Sequence, residues 1–391
     1  MPLLRLDAMP RSSLFLAAFI LMLGCNQPVQ SQRTTTDGQD TVQPQAVQAA
    51  NETIWQGRQT AITRAVEVAS PAIVSINVTE VREVRSRSPF GFSDPVFDQF
   101  FSRRYRQQVQ SVGSGFVMSP DGYIVTNDHV AGNALKITVA FQDGKTLEGE
   151  LVGTDPYTDL ALIKVTPDKP LPYLSFSQEA PLVGEWAIAL GNPFGLFEAA
   201  EPSVTVGVVS ATGRNFSPMN DGRVYRDMIQ TDAAINRGNS GGPLVNAVGE
   251  VLGVNTFIYT QQGGGSIGIG FAVPSNKVQG IISELRENGA VDRSYYTGLR
   301  VVELNRRFAI ALELNSTDGV IVQSLDDDSP ASTSGFRPYD VITSVNGEPI
   351  TNSNDLSGRL IDFRPGDDVR FGVIRDGEAL DLTLRLARQT G

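Results

Sequence analysis

The feature that most restricts the fold is a series of short apolar runs between about residues 73 and 274. The runs are rich in β-branched and aromatic residues, and turn sequences such as Asp121-Gly122, Asp143-Gly144 and Gly191-Asn192-Pro193 separate them. Such runs are typical of β-strands joined by tight turns. Because helical patterns flank the region rather than alternate with the strands, we expect β-barrels or a β-sandwich. Residues 85–108 mix phenylalanine with arginine and lack strand alternation, which predicts a long loop.

One helix is predicted at each end of this region. Residues 62–69 carry apolar side chains at helical spacing, and Ser70-Pro71 ends the pattern. Residues 275–288 carry a second apolar stripe, with Ser275 placed to cap the helix and Gly289 to end it. The chain after this helix again consists of short strand-like runs, enough for one further small domain.

The first 25 residues have the organisation of an export signal. Arg5 and Arg11 lie in the n-region, before an apolar core that is too short to span a bilayer comfortably. The segment ends in LMLGC, which resembles the lipobox of bacterial lipoproteins, so Cys25 is the expected lipidation site. Plain cleavage and an uncleaved anchor are the alternatives. Residues 26–52 are polar, rich in Gln and Thr and without periodicity, which predicts a flexible tether.

Composition excludes several functional classes. The formal net charge is −11, and a surface of that sign repels nucleic acid. The chain has one histidine and one cysteine, which cannot form a usual zinc site, so neither a metal nor another cofactor is expected. The single cysteine also excludes an internal disulfide.

Ser240 is the candidate nucleophile, and a glycine turn is the simpler interpretation of its surroundings. The sequence GNSGG satisfies the G-x-S-x-G pattern of the α/β-hydrolases. In that fold the histidine follows the serine along the chain, whereas the only histidine here, His129, precedes Ser240. The hydrolase order is therefore excluded, and the order His, Asp, Ser remains.

His129 is the candidate general base because imidazole is the side chain whose ordinary pKa suits proton transfer near neutral pH. It directly follows an alternating strand, at the start of a loop. Among the aspartates between it and Ser240, Asp143 and Asp155 belong to turns. Asp159 directly precedes the apolar run LALIKV, so its side chain is expected to be buried. A buried carboxylate needs a hydrogen-bond partner, and we therefore assign Asp159 as the orienting carboxylate. Asp232 is the alternative orienting carboxylate, with a purely structural role as its simpler interpretation.

The glycines around Ser240 have a chemical explanation under this interpretation. Gly238 allows the backbone N–H groups of residues 238 and 240 to converge on one oxyanion, and each such donor lowers the barrier by roughly 3 kcal/mol. Gly241-Gly242 keep the approach to the hydroxyl open. These residues predict an oxyanion loop beside the nucleophile.

The motifs TNDHV, GTDPYTDLALIKV, GNPFG and QTDAAINRGNSGGPLVN resemble those of the trypsin-like HtrA/Deg serine proteases. The resemblance runs from about residue 60 to residue 388. It implies a mainly β fold in which a chymotrypsin-like double β-barrel protease domain, residues 53–289, precedes one PDZ domain, residues 290–391. The implied assembly is a homotrimer or a multiple of it.

The resemblance also assigns further site residues. It gives His129, Asp159 and Ser240 the roles derived above, and it places Gly238, Asn239 and Ser240 in the oxyanion loop. It implies that Thr256, Phe257 and Ile258 line the substrate groove. It also places a carboxylate-binding loop at Tyr296, Thr297, Gly298 and Leu299, where a peptide C-terminus would add a strand.

Two positions depart from the family pattern. Arg237 stands where proline is usual, directly before the oxyanion glycine, and this leaves the balance between latent and active states open. Thr297 occupies a position where a larger aliphatic residue is common.

The implied function is that of an ATP-independent serine endopeptidase of the periplasm or cell envelope, acting on unfolded or damaged proteins. C-terminal peptides at the PDZ domain would regulate it or deliver substrate, and a lipid on Cys25 would anchor it on the periplasmic side of the membrane. A regulatory protease with one specific substrate and a protease-inactive holdase or binding module are the alternatives.

Overall fold

The structure, a computed structural model, describes residues 44–85, 104–193, 201–216, 219, 222–236, 238–258 and 268–389. Its first element is helix α1, Pro44–Arg58. This helix overlaps the predicted tether, so the expectation of a flexible segment up to residue 52 is wrong from residue 44 onward. Proline is tolerated at the first helical position, and the residues after it are mostly good helix formers such as Ala and Gln. The rest of the tether and Cys25 lie outside the described residues.

The predicted helix before the first strand is confirmed as α2, Ala61–Ala69. Thr60 caps it through a reciprocal capping box with Thr63, which satisfies backbone N–H groups that the first turn leaves without partners. A short 3₁₀ turn containing Pro71 follows, and strand β1 begins at Ile73. Ala65 and Ala69 of α2 are buried in a large apolar cluster that includes strands of both barrels.

The first six strands close into a barrel in the order β1-β2-β3-β6-β5-β4. Apolar side chains of these strands contribute to one core, and β6 is buried along nearly its whole length. The short helix α3, Asp128–Ala131, follows β3. The strands are β1 Ile73–Arg85, β2 Arg104–Val117, β3 Tyr123–Thr126, β4 Lys136–Ala140, β5 Thr146–Asp155 and β6 Leu160–Val165.

The long loop predicted over residues 85–108 is wrong at its ends. Arg85 and residues 104–108 belong to β1 and β2, which pair in register from Ile73↔Phe116 to Arg85↔Arg104. Cross-strand pairing supplies backbone hydrogen bonds even where the side chains do not alternate, so a local pattern alone misses these residues. Residues 86–103 lie outside the described part of the chain.

A second barrel follows, with the strand order β10-β11-β12-β9-β8-β7. Its core is formed by a separate cluster of small and branched apolar side chains together with part of the first cluster. Two closed barrels confirm the barrel interpretation of the strand pattern. The strands are β7 Trp186–Gly191, β8 Ser203–Arg214, β9 Met228–Thr231, β10 Pro243–Val245, β11 Val251–Ile258 and β12 Gly270–Pro274.

Helix α4, Ser275–Asn288, is confirmed at the predicted bounds, and its apolar stripe is buried. Gly289 ends it in the left-handed conformation at φ 73°, which glycine adopts at low cost. Ser275 does not cap the helix as predicted, because Pro274 holds the cap position and the Ser275 hydroxyl is directed to the Ser177 carbonyl at 3.5 Å.

The C-terminal region forms the small domain predicted after α4. Its main sheet has the order β14-β15-β16-β18-β19, with β14 at the edge and β17 paired to β16. A core that includes Phe336 and Phe371 packs between this sheet and helix α7. The elements are β13 Tyr295–Tyr296, β14 Leu299–Glu303, α5 Arg306–Ala311, β15 Val320–Leu325, α6 Pro330–Thr333, β16 Val341–Val345, β17 Glu348–Pro349, α7 Ser353–Leu360, β18 Asp368–Arg375, β19 Glu378–Arg385 and β20 Ala387–Arg388.

Within the described ranges, no helix has the length and apolar character needed to cross a membrane.

Candidate active site

His129 lies in helix α3, immediately after the end of β3. Asn127 precedes the helix in an extended conformation, and its side-chain amide donates to the Asp159 carbonyl at 2.7 Å. The His129 side chain is 36% exposed, so one edge of the ring faces solvent while the other faces the protein. The strand-to-helix turn therefore holds the imidazole and leaves it accessible.

Asp159 lies in the turn between β5 and β6, and its side chain is fully buried. One carboxylate oxygen, Oδ2, is 2.8 Å from His129 Nδ1, and the other, Oδ1, accepts the His129 backbone N–H at 3.0 Å. The backbone of Asp159 has φ 60°, a conformation that is unfavourable for a side chain with a Cβ. Conformational strain of this kind persists where the surrounding contacts enforce it.

Thr256 and Tyr225 extend this contact into the second barrel. The Thr256 hydroxyl donates to Asp159 Oδ2 at 2.6 Å, and the Tyr225 hydroxyl donates to the same oxygen at 3.2 Å. The pairing of β11 with β12 shifts register between Asn255 and Phe257, so Thr256 is the extra residue of a bulge. A bulge redirects a side chain, and here the hydroxyl faces the carboxylate of the other barrel.

A cation lies beside the same carboxylate. Arg223 Nε is 3.2 Å from Asp159 Oδ1, and the far end of its guanidinium is 3.4 Å from Asp128 Oδ2. Arg223 thus lies between two carboxylates that flank the histidine, and it neutralises part of their mutual repulsion.

The pKa of Asp159 is set by opposing effects. Burial raises the pKa, but the hydrogen bond and charge of His129 and the hydrogen bond from Thr256 outweigh it, so the pKa lies below the ordinary value. Burial, followed by the neighbouring Asp159, raises the pKa of the Asp128 carboxyl. Burial and the Asp159 charge also raise the pKa of the Tyr225 phenol. The Asp159 carboxylate therefore stays ionised beside a neutral tyrosine that donates to it.

The loop that carries Ser240 lies against the first barrel. The Ser240 carbonyl accepts the backbone N–H of Ser114 at 3.1 Å. Gly241 has φ 82°, and a Cβ at this position would lie 2.3 Å from the Ser114 carbonyl oxygen and 3.2 Å from the Asn127 nitrogen. Only glycine fits there, and the fit brings the serine loop next to the segment that precedes His129.

Gly238 and Asn239 have different surroundings. Gly238 has φ 125°, and a Cβ there would meet Pro193 at 2.6 Å. Asn239 supports the loop from within: its amide donates to the Ala234 carbonyl at 3.0 Å, and its backbone N–H donates to the Asn236 carbonyl at 3.2 Å. Arg237, the departure from the family pattern, lies outside the described residues.

The other candidate carboxylates lie apart from the histidine. Asp232 is exposed and accepts the Val208 backbone N–H at 2.7 Å, a structural contact. Asp143 accepts the Lys145 N–H in a turn, as predicted. Asp155 is buried and holds Arg293 through contacts of 2.6 and 2.7 Å.

The predicted substrate-groove residues occupy the end of β11. The backbones of Phe257 and Ile258 pair with β12, while their side chains lie outside the described part of the structure. Thr256 differs from the expectation, because its side chain is 3% exposed and bonds to Asp159. The sequence analysis missed this contact. Asn255 and Thr256 are two polar residues within an apolar strand, and because buried polar groups need partners, this pair was a signal that could have indicated it.

The predicted carboxylate-binding loop joins β13 to β14. Gly298 has φ 75° and its carbonyl accepts the Asp326 N–H at 3.0 Å. The Leu299 backbone N–H donates to the Thr297 hydroxyl at 3.2 Å. The Tyr296 hydroxyl donates to Asp326 at 2.7 Å, a bond that lowers the pKa of the Asp326 carboxyl. The loop therefore has a defined conformation beside an edge strand.

The C-terminal domain contacts the barrel loops that support the site. Arg226 is 4% exposed and lies 3.5 Å from Glu348 and 3.8 Å from Asp355 of helix α7. Arg226 directly follows Tyr225, whose hydroxyl reaches Asp159. Arg293 lies in the connection after α4. Its guanidinium donates to the Asp155 carboxylate at 2.6 Å, and its Nε donates to the Ile361 carbonyl at 2.9 Å.

Two closed β-barrels, with a buried aspartate on the only histidine and a glycine-rich serine loop packed against the segment that precedes this histidine, define the class of chymotrypsin-like serine proteases. A trypsin-like peptidase domain model matches residues 113–254, and a PDZ domain model matches residues 265–386. The chain belongs to the HtrA family of DegP-like serine endoproteases with a PDZ domain, and it is a serine endopeptidase.

Individual relatives support the family assignment. The chain is 37% identical over 356 residues to a probable periplasmic serine endoprotease DegP-like of Brucella suis biovar 1, covering 82% of this chain and 67% of the relative. Its counterpart in Hahella chejuensis is 40% identical over 339 residues, covering 83% and 70%.

Solved structures of serine endoproteases are also similar to this chain. The HtrA-type protease AlgWS227A with decapeptide is 35% identical at a TM-score of 0.67, covering 85% of this chain and 98% of that one. The serine endoprotease from Yersinia pestis is 31% identical at a TM-score of 0.55, covering 85% and 99%.

Proposed function

We propose that His129, Asp159 and Ser240 are the general base, the orienting carboxylate and the nucleophile of this endopeptidase. The observation that carries the proposal is the 2.8 Å contact between Nδ1 of the only histidine and a fully buried carboxylate. That contact keeps the proton on Nδ1, so Nε2 is left as the acceptor.

The chemistry follows from these roles. The Ser240 hydroxyl transfers its proton to His129 Nε2 while Oγ forms a bond to the scissile carbonyl carbon. The imidazolium then gives that proton to the leaving amine as the C–N bond breaks. Water attacks the acyl-enzyme by the same route and restores the serine.

The backbone N–H groups of Gly238 and Ser240 are the proposed oxyanion donors. Within the described ranges neither group is hydrogen-bonded to an acceptor, so both are available to a developing negative charge. Asn239 contributes by supporting the loop, since its own backbone N–H donates to the Asn236 carbonyl.

Substitution of the nucleophile tests the assignment. Ser240→Ala should lower the rate of casein cleavage by about 10⁴-fold or more, because the triad acts as a unit. Ser283→Ala, an exposed serine on α4, is the matched control and should retain full activity. Circular dichroism checks that both variants are folded. Undiminished cleavage by folded Ser240→Ala would exclude Ser240 as the nucleophile.

We further propose that the substrates are unfolded or damaged proteins of the periplasm and that cleavage needs no ATP. The relatives carry the name periplasmic serine endoprotease, and the sequence begins with the features of an export signal. Purified protein should cleave unfolded casein without nucleotide and leave a stably folded protein intact. Equal cleavage of both would contradict this choice of substrate.

The PDZ domain is the proposed site for peptide C-termini. Strand β14 is an edge strand next to the loop at Gly298, so a peptide can extend the sheet there. Helix α7 contacts Arg226, and the adjacent Tyr225 contacts Asp159, which gives the domain a physical route to the catalytic centre. This route favours a regulatory role for the peptide over simple delivery of substrate.

Peptide titration separates the functional alternatives. A regulated protease should cleave a small chromogenic peptide faster when a C-terminal peptide saturates the PDZ domain, and an amidated version of that peptide is the control. A holdase would suppress aggregation with no cleavage in either condition. Stimulation by the amidated peptide would contradict carboxylate recognition.

Two features of location and assembly complete the proposal. Acylation of Cys25 would anchor the protein to the membrane, and metabolic fatty-acid labelling should then reach the wild type but not Cys25→Ser. The implied homotrimer predicts a solution mass of three chains or a multiple. Unlabelled, fully released wild-type protein would exclude the anchor, and a monomeric mass would exclude the trimer.

A further inference from the structure

One buried serine of the first barrel contacts both ends of the proposed oxyanion loop. Ser114, on β2, is fully buried. Its hydroxyl donates to the carbonyl of Gly238, and its backbone N–H donates to the carbonyl of Ser240 at 3.1 Å. A single residue of one barrel therefore holds the nucleophile and the first oxyanion residue of the other.

The same hydroxyl also holds the strand end that supports the loop. Ser114 Oγ accepts the Asn192 backbone N–H at 2.7 Å. A serine hydroxyl has one proton to donate, and this proton is the one that Gly238 accepts. The Ser114 carbonyl in turn accepts the Thr126 hydroxyl at 2.7 Å, which fixes the backbone of Ser114 itself.

The loop has little freedom on its other side. A Cβ on Gly191, at the end of β7, would lie 2.4 Å from the Asn239 Cα, so the strand backbone is in direct contact with the loop. Gly238 lacks a side chain and has φ 125°, a conformation that its own sterics do not enforce. Its peptide planes are therefore oriented by outside partners, and the Ser114 hydroxyl is the one that bonds its carbonyl.

We propose that Ser114 is a positioning residue for the oxyanion hole. Its hydroxyl holds the Gly238–Asn239 peptide through the Gly238 carbonyl, and its backbone N–H holds the Ser240 carbonyl. These two bonds fix the positions of the Gly238 and Ser240 backbones, from which the two proposed oxyanion N–H groups extend. The inference rests on the catalytic roles proposed for this loop. Oxyanion donors act in the transition state, and a displacement of about 1 Å in such a group costs roughly 10²-fold in rate.

The test compares Ser114→Ala with Ser75→Ala in the full-length protein. Ser75 pairs directly with Ser114 across β1 and β2, is equally buried, and accepts from Asn77 within its own strand. With a chromogenic peptide, Ser114→Ala should lower kcat by about 10- to 100-fold and change KM by less than about twofold, since the hydroxyl acts on transition-state donors. Ser75→Ala should leave both constants unchanged.

A transition-state analogue supplies a readout that a merely structural role would not move. A peptide aldehyde that forms a tetrahedral adduct with Ser240 should bind Ser114→Ala more weakly by the same factor as the loss of kcat. The corresponding product peptide should bind both proteins equally. Ser114→Thr keeps the hydroxyl and should recover part of the rate. If Ser114→Ala does not fold, Ser114→Cys, which keeps the volume with a weak donor, is measured instead.

Several results would overturn the proposal. Unchanged kcat and aldehyde affinity in a folded variant would show that the hydroxyl does not position the hole. An equal loss in Ser75→Ala would assign the effect to the barrel as a whole. Ser240→Ala tests the catalytic role separately, so an inactive Ser240→Ala with a fully active Ser114→Ala would refute only the role of Ser114.

Discussion

Replacement of Asp159 by asparagine tests the electrostatics of the site, and the contacts determine the orientation of the new amide. Oδ1 lies beside two N–H donors, the His129 backbone and Arg223 Nε, so an NH₂ group cannot occupy that side. Oδ2 lies beside the hydroxyls of Thr256 and Tyr225, which can rotate to accept. The amide NH₂ of Asp159→Asn must therefore take the Oδ2 position.

That orientation determines the state of the imidazole. His129 Nδ1 is 2.8 Å from the Oδ2 position and 3.0 Å from the Oδ1 position. At the nearer position the amide donates to Nδ1, and the ring proton moves to Nε2. An Nε2 that carries a proton cannot accept one from Ser240. We expect kcat to fall by about 10⁴-fold, the loss associated with the wrong tautomer in a triad of this type.

The assay combines turnover with a spectroscopic probe. Cleavage of fluorescent casein gives the rate, and because the chain has one histidine, ¹⁵N-histidine labelling gives a single set of imidazole signals that reports the tautomer. Asp232→Asn is the matched control and should retain activity, since Asp232 bonds only to the Val208 backbone among the described contacts. Activity above about a tenth of wild type in folded Asp159→Asn, or the Nδ1–H tautomer in its spectrum, would refute the reasoning.

Three further predictions follow from the same contacts. Thr256→Val should lower kcat by about tenfold, because a hydrogen bond to a charged group is lost, and Michaelis–Menten analysis with unchanged kcat would contradict the role of that hydroxyl. The lowered pKa of Asp159 means that its stabilising contribution is present above its ordinary pKa of about 3.9 and is lost as the pH falls through the lowered value. Urea unfolding should therefore show a stability gap between wild type and Asp159→Asn that shrinks below about pH 4, and a constant gap down to pH 2 would contradict it. Arg226→Gln removes the contacts with Glu348 and Asp355, so stimulation of cleavage by a PDZ-bound peptide should shrink. The affinity of the PDZ domain for that peptide, measured by fluorescence anisotropy, should stay unchanged. Full stimulation would exclude the route from helix α7 through Arg226 to the catalytic centre.

Local sequence patterns predicted most of the regular structure. The apolar stripe of α4 and the left-handed end at Gly289 were predictable because helix periodicity and glycine at a helix end are local effects. The same local reasoning failed for Ser275 and for the ends of the segment 85–108. The cap position shifted by one residue at Pro274, and cross-strand pairing extended β1 and β2 where alternation is absent.

The candidate site was partly predictable for a related reason. An aspartate before a buried strand needs a partner, so Asp159 could be chosen over Asp232 from the sequence. Thr256, Tyr225 and Arg223 could not be assigned to that carboxylate, since they are distant in sequence and reach it only after the barrels meet. The bulge at Thr256 depends on the register between two strands, which no local pattern specifies.

The sequence by itself determined the strand-rich architecture, the His, Asp, Ser order and the glycines of the serine loop, because these depend on periodicity, residue chemistry and backbone freedom. Only the tertiary structure decided which groups surround the carboxylate and which residue of the first barrel contacts the serine loop. Ser114 and Gly238 are 124 residues apart, and the bond between them forms only when the first barrel packs on the second. Closure of the barrels brings these groups together, and their burial then requires each polar atom to find the partner that packing has placed beside it.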